Sequence, residues 1–164
     1  MLSQKMLDAL NDQVNAEYYS AYLYRSMAAH CDAINFRGFG KWFREQAKEE
    51  DDHAMKFQQY ILDRFGRVEL KPIQAPPNTW NTPLAVFEAA LEHERHVTSR
   101  INALAEMAAA EKDFATGIFL QWFITEQVEE ESTVDQIVQQ MRMTQGSAGG
   151  MFWLDRHLGK RGET

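Results

Sequence analysis

Four stretches of this chain carry apolar residues at alternating steps of three and four, and a carboxylate interrupts each stripe near its middle. Leu10, Val14, Glu17, Ala21, Tyr24 and Ala28 make the first stripe. Phe39, Phe43, Gln46, Glu50, His53, Phe57 and Tyr60 make the second. Phe87, Leu91, Glu94, Val97, Ile101 and Leu104 make the third, and Leu120, Phe123, Gln127, Glu130, Val134, Ile137 and Met141 the fourth. This is the spacing of the seam that a helix turns toward its neighbours. An acid in such a seam is dehydrated, and a buried ion is costly unless it is paired or bound to a metal. One acid in one seam would carry little weight. Four helices that each aim an acid at a common core, with Glu50 and His53 one turn apart on the second, ask for a cation.

The same periodicity sets the organisation. Ser3 is a plausible N-cap for a first helix that runs to about Ala33. Gly38 and Gly40 mark the corner into a second, which continues to about Phe65 and stops at Gly66. From Gly66 to Thr82 the helical period is lost and Pro72, Pro76 and Pro77 predict a stiff, extended connection. Thr82 and Pro83 read as N-cap and first residue of a third helix reaching about Glu111. Asp113 then caps a fourth that runs to about Gln145. The run Gly146-Ser147-Ala148-Gly149-Gly150 breaks the chain before a short apolar-faced helix, about Met151 to Leu158, within a C-terminal segment of about 148–161. Short corners make helices one and two, and three and four, antiparallel pairs. A connection of about 17 residues at roughly 3 Å each spans a whole helix, so helices two and three can lie parallel. The expected fold is all-α: a four-helix bundle over about residues 3–145 with one long crossover, in a single domain covering 1–164.

Composition narrows the function. A length of 164 residues suits one domain with a sizeable core. No apolar run is long enough for a membrane span, and the N-terminus lacks the apolar block of a secretory leader. The single cysteine, Cys31, forms no internal disulfide and suits a reducing cytoplasm. A net charge of −7 argues against nucleic acid as a partner and is compatible with attracting cations.

Carboxylates with one imidazole suit iron or manganese better than zinc or copper, because zinc sites recruit more imidazole or thiolate. An acid on each helix leaves room for bridging, with Glu50 touching two ions, Glu17 and His53 ending one side, and Glu94 and Glu130 the other. Two adjacent iron(II) ions can pass two electrons together to dioxygen or peroxide. Tyr24, two turns after Glu17, reads first as a core tyrosine; its phenol can also hydrogen-bond a ligand or lend an electron. Gln46 and Gln127 are compatible with ordinary buried amides. His93 and His96 flank Glu94 but fall off its stripe, which predicts surface positions for both. Glu49, Glu126 and Glu129 add a second acidic layer; spacing leaves open both a third cation site sharing Glu130 and a solvated acidic surface.

At these residues the chain resembles the non-haem bacterial and archaeal ferritins over nearly its full length. The resemblance is carried by Asn15-Ala16-Glu17-Tyr18-Tyr19-Ser20-Ala21-Tyr22-Leu23-Tyr24, Glu49-Glu50-Asp51-Asp52-His53-Ala54, Glu92-His93-Glu94, and Phe119 to Phe123 running into Glu126-Gln127-Val128-Glu129-Glu130-Glu131. It implies a ferroxidase centre in which Glu17, Glu50 and His53 hold one iron and Glu50, Glu94 and Glu130 the other, with Gln127 and Tyr24 adjacent. It implies a third iron site at Glu49, Glu126, Glu129 and Glu130. It also implies a shell of 24 subunits, with the fifth helix around fourfold axes and a ferric mineral inside. Bacterioferritins carry a second Glu-x-x-His where this chain has Gln127 and Glu130, and their haem-binding methionine falls on Asp51, so haem is not expected, although Met55 lies nearby. The acids that line threefold channels in animal ferritins fall on Gly117 and Leu120, so iron uptake through other inter-subunit pores is expected. Two alternatives are a di-iron oxidase or peroxidase without a storage role, and a DNA-protecting shell. The acidic charge and lack of a basic tail disfavour the second.

Overall fold

A computed structural model describes residues 1–163. Five helices account for most of the chain: α1 (Gln4–Ala33), α2 (Arg37–Asp63), α3 (Pro83–Ala110), α4 (Phe114–Met143) and α5 (Ala148–Leu158). No strand occurs among the described residues. The sequence-expected caps form: Ser3 Oγ accepts from the Met6 N–H at 3.0 Å, Thr82 Oγ1 from Ala85 at 3.0 Å, and Asp113 Oδ1 from Thr116 at 3.1 Å. Each satisfies a first-turn amide that the helix cannot satisfy itself.

Side-chain pairs fix the directions. Arg25 meets Asp51 and Arg44 meets Asp32, so α1 and α2 are antiparallel. Gln13 meets Arg100 and Ser20 meets His93, so α1 and α3 are antiparallel too. Helices α2 and α3 therefore run parallel, as the long crossover allows. The crossover lies along α1 and its backbone is satisfied there: Asn11 donates to the Arg67 carbonyl at 3.0 Å and accepts from the Glu69 N–H at 2.8 Å, and Asn15 donates to the Pro72 carbonyl at 3.1 Å. An extended segment with no sheet partner is anchored by such side-chain substitutes.

The first three helices end within two residues of the expected positions, and all three close in the same way. The left-handed residue that closes α1, α2 and α3 is Asn35 (φ 67°), Phe65 (φ 62°) and Lys112 (φ 57°), in no case a glycine. In each, the following N–H reaches back five residues: Phe36 to Cys31 at 2.9 Å, Gly66 to Ile61 at 2.8 Å, and Asp113 to Ala108 at 2.9 Å. Gly66 thus follows the turn residue. It is needed for space, since a Cβ there would lie 2.8 Å from Leu7 Cδ1 and 2.9 Å from Ile61 Cγ2.

The corner into α2 is residues 34–36, and Gly38 and Gly40 lie inside the first turn rather than before it. The cause is α5. Phe36 offers no side-chain cap, and the buried Asp155 supplies one from the far end of the chain, its Oδ1 accepting from the Phe39 N–H at 2.9 Å. A Cβ on Gly38 would sit 1.8 Å from the Asp155 carbonyl oxygen, so only glycine admits this approach. Helix α5 begins at Ala148, capped by Ser147, so Gly149 and Gly150 belong to its first turn and the break narrows to the residues just before it.

Aromatic side chains pack the interior on either side of a polar layer. One apolar cluster holds Tyr24, Met27, Phe39, Phe43, Phe87 and Val138 among others; the second holds Met6, Leu10, Phe57, Ile101, Leu120 and Phe123. Between them lie Glu17, Glu50, His53, Glu94, Gln127 and Glu130, all buried. Asp155→Ala should lower stability by about 1 kcal/mol, the usual value of a helix cap, and Asp155→Asn should keep most of it. Denaturant unfolding followed by circular dichroism measures both.

Candidate metal centre

Each helix contributes to the polar layer from the middle of its seam. Helix α1 brings Glu17 and, one turn earlier, Gln13; α2 brings Gln46, Glu50 and His53; α3 brings Glu94; α4 brings Gln127 and Glu130. Exposure is 1 % at Glu17 and Glu50, 4 % at His53, 0 % at Glu94 and 6 % at Glu130, so none of these groups is solvated in the ordinary sense.

Glu17, Glu50 and His53 each place one ligand atom within 4.8 Å of the other two. His53 Nδ1 lies 3.2 Å from Glu50 Oε2 and 3.9 Å from Glu17 Oε2. Glu17 Oε1 accepts from Gln13 Nε2 at 2.8 Å, and Gln13 is itself held by Arg100 at 3.0 Å. Glu17 Oε2 is fully enclosed and has no hydrogen-bond partner, with His53 Nδ1 facing it at the longer distance. On the other side, Glu94 accepts from the Tyr24 hydroxyl and, at 3.1 Å, from Gln127 Nε2. Glu130 accepts from Gln46 Nε2 at 2.6 Å. A second group within the same 4.8 Å limit joins His53 to Glu126 and Glu130.

The remaining residues expected at the centre lie further out. Glu94 belongs to neither three-residue group, being turned toward Tyr24 and Gln127. Glu126 is half-buried and shares an open groove with Glu49, Asp52, His53, Lys56 and Trp122. Glu49 pairs with Arg161 at 2.9 Å, and Glu129 is exposed. Asp51, at the bacterioferritin haem position, pairs with Arg25, and Met55 is exposed.

Several residues play parts the sequence reading did not give them. Gln46 is a donor to Glu130 rather than a bland amide, and Gln13 positions Glu17; its spacing four residues before Glu17 was the available signal. The Trp122 indole stands edge-on to His53 at 5.4 Å and carries Lys56 Nζ 3.0 Å from its ring centroid. His96 is exposed as expected, but His93 is not a surface residue. It is half-buried, 2.7 Å from Ser20 Oγ and edge-on to the Tyr24 ring at 5.9 Å, because α1 and the crossover cover that side of α3. Burial, with His96 nearby, lowers its pKa to about 4, so it is neutral at ordinary pH. Leu120 is fully buried in the bundle core and so cannot line a channel; Gly117 faces open space.

Burial governs the electrostatics. It raises Glu130 to about 8, helped by the charge of Glu94 and opposed by the Gln46 hydrogen bond. It raises Glu94 to about 7 against the hydrogen bonds from Tyr24 and Gln127. Glu50 is pushed well above the usual range by burial and then by Glu94 and Glu17, and Tyr24 is raised by burial and by Glu94. These acids keep protons in the folded chain that the unfolded chain has released, so they favour folding at low pH and the contribution is lost as pH rises. The metal-free protein should therefore lose stability between about pH 5 and the values of about 7 and 8 for Glu94 and Glu130. Denaturant midpoints across that window should fall with pH, and Glu130→Gln should flatten the slope.

Residues 7–144 match the Ferritin family, described as a ferritin-like domain. Among curated proteins, a bacterial non-heme ferritin of Bacteroides fragilis is 44 % identical over 161 residues, covering 98 % of this chain and 100 % of its own. One of Staphylococcus aureus is 40 % identical, covering 98 % and 97 %. Among solved structures, an open pore ferritin from the hyperthermophilic archaeon Archaeoglobus fulgidus superposes with a TM-score of 0.97 at 49 % identity, over 98 % of this chain and 99 % of that one. With a bundle, crossover and buried acid layer of this kind, the chain belongs to the ferritin family.

Proposed function

We propose that this protein is an iron store with ferroxidase activity. It oxidises iron(II) with dioxygen or hydrogen peroxide at the buried centre and keeps iron(III) as a mineral inside a homo-oligomeric shell. One observation carries the reading: Glu17 Oε2 is enclosed, has no hydrogen-bond partner, and faces His53 and Glu50. An enclosed carboxylate oxygen without a hydrogen-bond donor, grouped with a second carboxylate and an imidazole, suits a cation. A set of carboxylates with one imidazole and no thiolate favours iron over zinc.

In this reading Glu17 and His53 hold one iron(II), Glu94 and Glu130 the other, and Glu50 reaches both. Gln13, Gln46 and Gln127 keep the carboxylates aimed inward by donating to Glu17, Glu130 and Glu94. Tyr24 orients Glu94 through its hydroxyl. Each iron(II) loses one electron. Dioxygen takes both electrons with two protons and leaves as hydrogen peroxide; with peroxide as oxidant, the same electrons and protons give two waters. Glu94 and Glu130, which carry protons near neutral pH, release them as the cations arrive. Glu49, Glu126 and Glu129, with Glu130, hold a third iron on its way to the cavity. In the same reading the chain acts as one domain and assembles into a shell of 24 subunits in the cytoplasm; it works without haem, as the name non-heme ferritin of its bacterial relatives suggests.

Glu50→Ala and His53→Ala should each slow rapid iron(II) oxidation at least about 100-fold, since losing even a ligand's outer partner costs about 10–100-fold. The shell should stay intact by size-exclusion chromatography. Wild-type stopped-flow rates in either variant would sink the site assignment. Glu126→Ala and Glu129→Ala should instead change the iron-to-oxidant stoichiometry and the transfer of iron to the mineral.

A further inference from the structure

After α5 the chain turns back along α2 instead of leaving the bundle. Gly159 lies so close to Gly38 that a Cβ on it would come within 2.9 Å of the Gly38 Cα, and Glu163 meets Lys41 Nζ at 2.7 Å. Between these points Arg161 extends toward the metal centre. Its guanidinium donates to the Trp42 carbonyl at 3.2 Å, lies over the Trp42 indole with 4.6 Å to the ring centroid, and meets Glu49 Oε1 at 2.9 Å. Glu49 lines the groove that also exposes His53 and Glu126. Its carboxylate nonetheless joins neither group of clustered ligand atoms, while Glu126 and Glu130 do join one with His53.

We propose that Arg161 is a positioning residue for Glu49: its guanidinium occupies the Glu49 carboxylate until an iron(II) ion in the groove displaces it. Arg161 thereby sets the affinity of the third iron site. The inference rests on the role proposed for Glu49 above. Stacking on Trp42 and a bond to a backbone carbonyl hold the guanidinium in place, so little freedom is lost when it pairs with Glu49. A cation that takes Glu49 must break that pair. A half-exposed pair of this kind opposes it by a factor of about two to five. The contact also gives the C-terminal segment a role at the centre beyond capping α2. When iron moves on to the mineral, the returning guanidinium competes with it for Glu49 and favours its release.

The test is anaerobic titration of the assembled protein with iron(II), followed by calorimetry, for wild type, Arg161→Gln, Arg161→Lys and Glu49→Gln. Arg161→Gln keeps a donor for the Trp42 carbonyl but loses the charge. It should tighten the weakest iron site about two- to fivefold and leave the two tighter sites unchanged. Arg161→Lys keeps the charge without the planar fork and should fall between the two. In a Glu49→Gln background, Arg161→Gln should have no further effect. An unchanged weakest site in Arg161→Gln, alongside a weakened one in Glu49→Gln, overturns the proposal and leaves the role of Glu49 standing. Equal tightening at all sites marks a general charge effect and also overturns it. If wild type has no third site and Glu49→Gln changes nothing, the role of Glu49 fails and the proposal fails with it.

Discussion

Moving an ionised carboxylate from water into a protein interior costs several kcal/mol even after relaxation, and this bundle encloses Glu17, Glu50, Glu94 and Glu130 in one layer. The molecule answers that cost in two ways at once. Burial raises Glu94 and Glu130 to about 7 and 8, so that much of their charge is withheld at neutral pH without metal. Gln13, Gln46 and Gln127 turn their amide donors inward to Glu17, Glu130 and Glu94. What remains is the Glu17 oxygen with nothing bonded to it. The layer is tolerable without a cation and incomplete without one, which is the condition for a site that must both take up iron and give it away.

The apolar clusters on either side make that layer possible. They clamp the four helices above and below it and hold the seam in register. Helix α2 carries the most demanding share, with Glu50 and His53 in its seam and Glu49 on the flank. It is also the helix whose start is capped from elsewhere, by Asp155. The C-terminal helix and the metal centre are thereby attached to the same rigid element.

Much of this was legible in the sequence because it is local or periodic. The four acid-bearing seams, the caps at Ser3, Thr82 and Asp113, and the parallel pairing that the long crossover allows were all read from spacing and composition. What was not legible depends on contacts between distant residues. Nothing near Phe39 announces that Asp155 will accept its N–H, nor does anything near Glu49 announce Arg161. His93 falls off its own seam, and only the approach of α1 and the crossover buries it. The left-handed corners at Asn35, Phe65 and Lys112 escaped for another reason. Glycine is the usual signal there, and these ends are instead held by the back-reaching hydrogen bond that follows each turn.

The crossover has a consequence for how this subunit can change. It is pinned to α1 near its start by Asn11 and Asn15, and near its end by Ser26, which donates to the Pro77 carbonyl, and by His30, which lies edge-on to Trp80. From Asn11 to His30 the helix rises about 28 Å, whereas residues 67–80 could stretch to about 43 Å if fully extended. The slack is unevenly spread. From Asn15 to Ser26 the helix rises about 16.5 Å, which residues 72–77 match only when almost fully extended, whereas residues 67–72 need cover only about 6 Å between Asn11 and Asn15. Within one subunit, a residue removed between 72 and 77 would pull one of these anchors off α1. The segment that reads as a plain connector is therefore divided into a slack part and a taut part, and the taut part sets the shortest connection that α1 accepts.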